Sequence, residues 1–183
     1  SAQSIRQMTE FALEKFGTID ILINNVGGSA AGGPIEMSEE VWDTQINVNL
    51  KSVFLTCKYV LPTMVANRRG AIVNVASAAG KEGVPGIAAY AASKHGVIGF
   101  TKSLSRELAE TGILVNCIAP VMTETDLLKE MTAEHIAASK AKIPMGRFLQ
   151  IPEIAAMVAW IASPECSFTT GFTFDLSGGR ANY

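Results

Sequence analysis

Apolar and polar residues follow a pattern along the chain that changes from helical to strand-like and back. The N-terminal stretch has apolar positions at helical spacing up to Gly17, a residue typical of a helix end. The apolar run 19–24 then predicts a strand that is buried on both faces. Ser38 begins a second helical pattern as an N-cap, and that pattern continues to about Asn67 with a kink expected near 47–49.

The same alternation continues to the end of the chain. The further predicted elements are strands at 71–76, 113–118 and 171–176, and helices at 89–111 and 152–162. One or two short helices are expected within 120–150. This order predicts an α/β fold with a parallel sheet and helices on both faces. Ligands bind beyond the carboxyl ends of such strands, so the segments after Asn24, Ala76 and Ile118 are where a site is expected.

Composition supports a folded chain and excludes several classes of partner. The 183 residues, read as one domain over 1–183, are 48% apolar and 17% charged, which excludes a disordered chain. The net charge is −2 and the longest basic run is Arg68-Arg69, so neither nucleic acid nor an anionic membrane is expected as a partner. No apolar run reaches the roughly 18–20 residues that span a bilayer.

Cysteine and histidine positions give no sign of a metal site. Cys57, Cys117 and Cys166 lie far apart in sequence, which indicates neither a zinc site nor a disulfide framework. His95 and His135 each stand alone, and we interpret both as solvated helix positions rather than ligands. The sequence therefore predicts no metal, and a reduced, cytoplasmic protein with buried thiols.

Three residues after the second predicted strand could carry proton-transfer chemistry. Tyr90 and Lys94 share one helix face, and a nearby ammonium is expected to lower the pKa of the phenol. In isolation, a surface tyrosine beside a solvated lysine is the better interpretation of that pair. Ser77 changes the balance, because it lies directly after the strand and 13 residues before Tyr90, with a glycine-rich loop between them.

These residues belong to a longer pattern. Segments 72–80 and 90–94 together resemble the active-site signature of the short-chain dehydrogenase/reductase family. Further segments resemble that family's motifs in the expected order, namely 24–27, 47–50, 120–125, 170–171 and 175–179. The resemblance covers essentially the whole chain. It implies a Rossmann-like fold and an oxidoreductase that interconverts an alcohol and a ketone or aldehyde by hydride transfer with NAD or NADP.

The resemblance also implies a role for each catalytic residue. Tyr90 would be the general acid/base, and Lys94 would lower its pKa and bind the nicotinamide ribose. Ser77 would hold and polarise the substrate oxygen, and Asn49 would place a water that relays protons to solvent. The implied cofactor-binding residues are Asn24, Val26, Gly27, Tyr90, Lys94, Pro120, Thr123 and Thr125.

Several alternatives remain open at this stage. Asn24, Asn25 and Asn49 have a second interpretation, in which they satisfy buried backbone groups. The apolar residues within 127–148 fit either the core or a substrate lid that favours an apolar or mixed substrate. Val26 and Val121 stand where the family has alanine and glycine. A non-catalytic Rossmann-like binding or assembly module is the alternative to an enzyme.

The family's opening segment has no counterpart ahead of Asn24. That segment is a strand, a glycine-rich phosphate-binding turn and a helix, and it belongs to a βαβαβ half of roughly 60 residues or more. We therefore expect an N-terminally incomplete doubly wound fold, with this chain as the C-terminal part of a longer protein. The small and apolar residues of helices 49–67 and 89–111, and the last strand, predict a homodimer or homotetramer.

Overall fold

A computed structural model describes residues 1–181. These residues contain a parallel sheet of four strands in the order β1-β2-β3-β4, which confirms the expected α/β fold. The strands are β1 (Ile21–Asn24), β2 (Gly70–Val75), β3 (Ile113–Pro120) and β4 (Thr173–Leu176). Because all four run in the same direction, the loops after them meet at one edge of the sheet.

Helices connect and cover these strands. They are α1 (Ala2–Phe16), α2 (Glu39–Ile46), α3 (Ser52–Asn67), α4 (Ala79–Glu82), α5 (Ala88–Glu107), α6 (Ala133–Ala141) and α7 (Ile151–Ile161). A π-helical turn, Asn47–Lys51, joins α2 to α3 where the kink was expected, and a 3₁₀ turn, Asp126–Glu130, precedes α6. Gly17 ends α1 with φ 77°, and the Ser38 side chain accepts a hydrogen bond from the N–H of Val41 at the start of α2.

Two details differ from the sequence-based expectations. The helix α4 lies in a segment that was expected to be a loop, and contacts distant in sequence hold it there, as described below. The strand β1 is not buried on both faces, because Ile21 and Ile23 are 49% and 47% exposed whereas Leu22, on the other face, packs against the core. In the described chain, β1 is also a terminal strand of the sheet.

The core lies on the two faces of β2 and β3. Ile72 and Val115 face α3 and α5, in a cluster that also contains Met64 and Val97. Neighbouring strand residues point to the opposite face, where Val73 and Ile118 pack with Ile161 of α7. Three asparagine side chains are also fully buried, namely Asn49, Asn74 and Asn116.

A buried hydrogen-bond network joins the sheet to two helices. Asn74, near the end of β2, accepts a hydrogen bond from Asn24 Nδ2 at 2.8 Å and donates one to Thr101 Oγ1 of α5 at 2.9 Å. Thr56 of α3 donates to Asn24 Oδ1 at 2.6 Å. Because a buried polar group without a partner is costly, this network fixes the positions of β1, β2, α3 and α5 relative to one another.

The three cysteines are free and buried. Burial raises the pKa of the Cys57 thiol to about 12 and that of the Cys117 thiol to about 11. Within residues 1–181, no set of three or more His, Cys, Asp or Glu side chains is arranged to hold a metal ion. No helix in this part of the chain combines the length and the apolar character needed to cross a membrane.

Replacing Asn74 with alanine should strongly destabilise the protein. Asn74→Ala leaves Asn24 and Thr101 without their shared partner in the core, so we expect a loss of roughly 2–5 kcal/mol in the free energy of unfolding. Asn67→Ala is the matched control, because Asn67 makes an exposed hydrogen bond to Thr18, and it should cost about 0.5 kcal/mol or less. Urea unfolding of the two variants measures both values, and equal losses would contradict the role of the network.

Candidate active site

The candidate site lies at the carboxyl edge of the sheet, where β2 leads into α4 and α5. Ser77 is two residues beyond the end of β2, and Tyr90 lies in the first turn of α5. The Ser77 hydroxyl interacts with the Tyr90 hydroxyl and lowers the pKa of that phenol. Ser77 Oγ also accepts a hydrogen bond from the N–H of Ala79 at 3.1 Å, which ties its side chain to the start of α4.

Lys94 lies one helical turn beyond Tyr90 and is almost completely buried, with 3% of its surface exposed. Its Nζ donates a hydrogen bond to the carbonyl oxygen of Val75, at the end of β2, at 2.8 Å. Burial lowers the pKa of Lys94 to about 8, although the neighbouring Cys117 thiol opposes this shift. The lysine is therefore held by the backbone at the end of a strand, and its positive charge is costly there.

The pKa of Tyr90 differs from the expectation drawn from the sequence. Burial raises this pKa above its ordinary value, and the contact with Ser77 reverses only part of the increase. The predicted lowering by Lys94 is not found, because the Lys94 ammonium lies 5.7 Å from the centre of the Tyr90 ring and is directed toward Val75. At neutral pH the Tyr90 phenol is therefore protonated.

Gly27 allows two of the predicted site residues to pack against the backbone. A methyl group built on Gly27 would lie 2.7 Å from Asn49 Oδ1 and 3.0 Å from Lys94 Nζ. Both polar atoms therefore approach the same point beside an exposed stretch of backbone. Glycines are found where another group must approach the backbone closely, and here the side chains of Asn49 and Lys94 are those groups.

Asn49 is fully buried within the π-helical turn and holds the chain after β1. Its Nδ2 donates to the carbonyl oxygens of Gln45 and Gly28, both at 2.9 Å, and its Oδ1 accepts from the N–H of Gly28 at 3.0 Å. These contacts fit the interpretation in which Asn49 satisfies backbone groups. They also place its amide beside Lys94, so the predicted relay role stays a prediction.

The other predicted residues of the first loop are arranged differently. The Asn24 side chain is engaged by Asn74 and Thr56 in the buried network, so its contacts are those of the structural interpretation. Val26 is 72% exposed beside Gly27. Among these residues, Val26 and Gly27 thus present free surface where a cofactor is predicted to bind.

The third predicted segment begins at the end of β3. The Pro120 carbonyl accepts a hydrogen bond from the N–H of Ala78 at 2.9 Å, which joins this loop to the segment that carries Ser77. Thr123 pairs with Leu149 in a short parallel bridge, and its Oγ1 donates to the carbonyl of Val121 at 3.1 Å. Thr125 is exposed and lines an open cleft of about 620 Å³.

The apolar residues after this loop divide between two environments. Ile143 and Phe148 are buried in a cluster with Ala78 and Val121, so they belong to a small core beside the site. Leu127 and Met145 are 57% and 68% exposed. The core interpretation therefore applies to Ile143 and Phe148, and the lid interpretation stays a prediction for the exposed residues.

Sequence reasoning placed Gly80 in a loop and missed that it brings α4 against α5. A methyl group on Gly80 would lie 2.8 Å from the backbone carbon of Lys94, so only glycine allows this close packing. The spacing between Ser77 and Tyr90 gave no sign of the contact. The signal in the sequence was the glycine itself, and glycines are equally common in loops.

Comparisons with known proteins agree with this geometry. A family model described as enoyl-(acyl carrier protein) reductase matches residues 1–181. The chain is 46% identical over 168 residues to a 2-dehydro-3-deoxy-L-rhamnonate dehydrogenase (NAD(+)) of a Sphingomonas species, covering 91% of this chain and 68% of that protein. It is 43% identical over 177 residues to a 3-oxoacyl-(acyl-carrier-protein) reductase of Vibrio cholerae, covering 97% of this chain and 72% of that protein.

A solved structure supports the same assignment. The crystal structure of an actinorhodin polyketide ketoreductase variant with NADPH superimposes with a TM-score of 0.93 at 37% sequence identity. The match covers 100% of this chain and 75% of that chain. The fold, the arrangement of Ser77, Tyr90 and Lys94, and these similarities lead to one conclusion. The chain belongs to the short-chain dehydrogenase/reductase family of NAD(P)-dependent oxidoreductases, which act on small alcohol or carbonyl substrates.

Proposed function

We propose that the protein interconverts a ketone and an alcohol, with Tyr90 as general acid/base and Ser77 holding the substrate oxygen. The observation that carries this proposal is the contact between the Ser77 and Tyr90 hydroxyls next to the buried Lys94 ammonium. A non-catalytic binding module does not require two interacting hydroxyls one helical turn from a buried ammonium. Family membership likewise favours an enzyme.

The protonated phenol of Tyr90 suits the direction of reduction. When bound, the nicotinamide cofactor supplies the hydride. A carbonyl oxygen that gains negative charge needs a proton, and Tyr90 holds one because burial raises its pKa. Ser77 can donate a hydrogen bond to the same oxygen, since its hydroxyl faces that of Tyr90.

Lys94 has its largest effect after the proton has left Tyr90. A phenolate in this buried position is unfavourable by itself, and in the proposed reaction the Lys94 ammonium, which is directed toward Val75 in this structure, would turn toward the phenolate and stabilise it. Lys94 Nζ also lies beside the backbone of Gly27, and Val26 and Gly27 are exposed, so we place the nicotinamide ribose against this exposed surface. Asn49 would hold a water between Lys94 and solvent.

Cofactor and substrate are proposed from the remaining contacts. The residues that would line the cofactor are Val26, Gly27, Pro120, Thr123 and Thr125. Asn24 would hold the loop that contains Val26 and Gly27 in place. Among the relatives, one name specifies NAD(+) and the solved structure contains NADPH, so the cofactor is NAD or NADP. The buried apolar cluster beside Ser77 favours a ketone on a partly apolar chain, as in the oxoacyl substrate that the name of the Vibrio cholerae relative gives.

We also propose a homodimer or homotetramer. In residues 1–181, β4 is a terminal strand of the sheet, and an open strand edge readily pairs with a second copy. Phe172 and Trp160, which pack against Phe174, are 54% and 40% exposed beside this edge. Phe54 is 46% exposed on α3.

A cytoplasmic location fits the buried, free thiols.

Tyr90→Phe should abolish turnover without unfolding the protein. Removing the proton donor should lower kcat by roughly 10²–10⁴-fold, which is the range for general acid catalysis. Reduction of ethyl acetoacetate, followed by the loss of NADPH or NADH absorbance, measures this effect in the enzyme expressed from its complete reading frame. Tyr59→Phe is the control because Tyr59 lies on α3, away from the site. Similar kcat values in the two variants would refute the role of Tyr90.

The buried charge of Lys94 should make stability depend on pH. Its pKa is about 8 in the folded protein and 10.5 in the ordinary case, so the unfolded chain binds more protons between these values. Stability must then rise with pH over that range. Relative to Lys94→Met, the unmodified protein should gain roughly 1–3 kcal/mol between about pH 8 and about pH 10.

Urea unfolding at the two pH values provides that measurement. Lys102→Met is the control, because Lys102 lies on the same helix but is exposed. It should keep the pH dependence of the unmodified protein. The same pH dependence in Lys94→Met and in the unmodified protein would show that Lys94 does not carry a buried charge.

Sedimentation velocity should show a dimer or a tetramer. Phe172→Glu and Phe54→Glu should each reduce the size of the assembly, because a carboxylate would have to be buried in the interface. Ile35→Glu should leave the assembly unchanged, since Ile35 is 93% exposed in the loop after β1. A monomer for the unsubstituted protein at micromolar concentration would contradict the proposed assembly.

A further inference from the structure

The helix α4 determines where Ser77 lies, yet it is too short to be stable alone. It has four residues, and an isolated helix of this length does not form in water. Within α4, the N–H of Ala79 donates to Ser77 Oγ, so a movement of α4 moves the serine hydroxyl. Contacts from outside the helix must therefore hold it in place.

An ion pair with one buried partner provides such a contact. Lys81 of α4 has a side chain that is 7% exposed, and its Nζ lies 3.0 Å from Oδ1 of Asp175 in β4, whose side chain is 33% exposed. Asp175 is itself held, because its Oδ2 accepts hydrogen bonds from the Ser177 hydroxyl at 2.6 Å and the Ser177 N–H at 3.1 Å. Ser177 is fully buried. The carboxylate is thus a fixed point at the end of the sheet.

A second ion pair joins the same two segments. Arg180 Nε donates to Glu82 Oε2 at 2.9 Å, and the two side chains are 20% and 24% exposed. Lys81 and Glu82 are adjacent in α4, whereas Asp175 and Arg180 flank the turn after β4. The C-terminal turn therefore holds the end of α4 opposite to Ser77.

Stability alone does not account for this pair. Solvent-exposed ion pairs contribute only about 0–1 kcal/mol, and replacing buried pairs with apolar residues of similar volume is often neutral or stabilising. A pair of buried Lys81 with partly exposed Asp175 is therefore weak evidence of a stabilising role. Because the ion pair is also a hydrogen bond, it does specify the distance and direction between its two groups. Here that geometry sets the distance from the C-terminal turn to α4, and so the position of the Ser77 hydroxyl relative to Tyr90.

We propose that Lys81 and Asp175 are positioning residues, which hold α4 so that the Ser77 hydroxyl stays opposite the Tyr90 hydroxyl. The proposal rests on the proposed function, in which these two hydroxyls bind and protonate the substrate oxygen. Lys81 and Asp175 act through Ser77 and touch neither substrate nor cofactor. Breaking the pair should therefore lower kcat while leaving cofactor binding unchanged.

The test compares Lys81→Met, Asp175→Asn and the double variant in the enzyme expressed from its complete reading frame. With ethyl acetoacetate as the probe, kcat should fall at least tenfold in each single variant, and KM for NADPH or NADH should stay within twofold. The double variant should lose no more than the worse single variant, because the two groups act as one pair. Crystal structures of the single variants should show Ser77 Oγ displaced from the Tyr90 hydroxyl.

The control is an ion pair at the opposite edge of the sheet. Arg69 and Asp20 precede β2 and β1, their charged atoms are 3.6 Å apart, and their side chains are 76% and 43% exposed. Arg69→Met and Asp20→Asn change the charge in the same way and should keep kcat within twofold. The assays are run well below the unfolding temperature of every variant. A lower kcat then reflects the position of Ser77 and not a loss of folded protein.

Each result decides the proposal. A kcat within twofold of the unsubstituted enzyme in Lys81→Met, or an equal increase in KM for the cofactor, would overturn the positioning role. An unmoved Ser77 in both single-variant structures would overturn it as well. If Tyr90→Phe kept full activity, the proposed function would fail instead, and the crystal structures would still decide whether the ion pair places Ser77.

Discussion

The candidate site depends on one hydrogen bond, from Lys94 Nζ to the carbonyl of Val75 at the end of β2. It places an ammonium at the carboxyl edge of the sheet, and the surrounding chain is built closely around it. Gly27 and Gly80 both lie within contact distance of Lys94, and any larger residue at either position would collide with it or with its neighbours. The strand end, the two loops and α5 are therefore positioned around a single side chain.

Burial shifts the pKa values of Lys94 and Tyr90 in opposite directions. Burial makes the charged forms of both Lys94 and Tyr90 unfavourable, which lowers the first pKa and raises the second. The site at rest therefore contains a neutral phenol beside a charge that is easily lost. Proton transfer from Tyr90 to a substrate oxygen would leave a phenolate, and an ammonium that approached it would stabilise it strongly, because low polarity strengthens the attraction between opposite charges.

Much of this could be predicted from the sequence, because the main signals are local. Continuous apolar runs marked the strands, and the motif around Ser77, Tyr90 and Lys94 identified both the family and the edge of the sheet. The helix α4 could not be predicted, since ion pairs to residues about ninety positions away hold it. The direction of the Tyr90 pKa also depends on burial, which arises only in the folded chain. The expectation that a longer N-terminal half precedes this chain stays a prediction.

The burial of the three cysteines has a practical consequence for studying this protein. Alkylating reagents attack the thiolate, and burial raises the pKa of all three thiols, so the native state should resist labelling at neutral pH. Cys57 sits on α3, Cys117 on β3 and Cys166 beyond α7, so each reports on a different region of the molecule. The order in which they become reactive would map which parts of the protein open first.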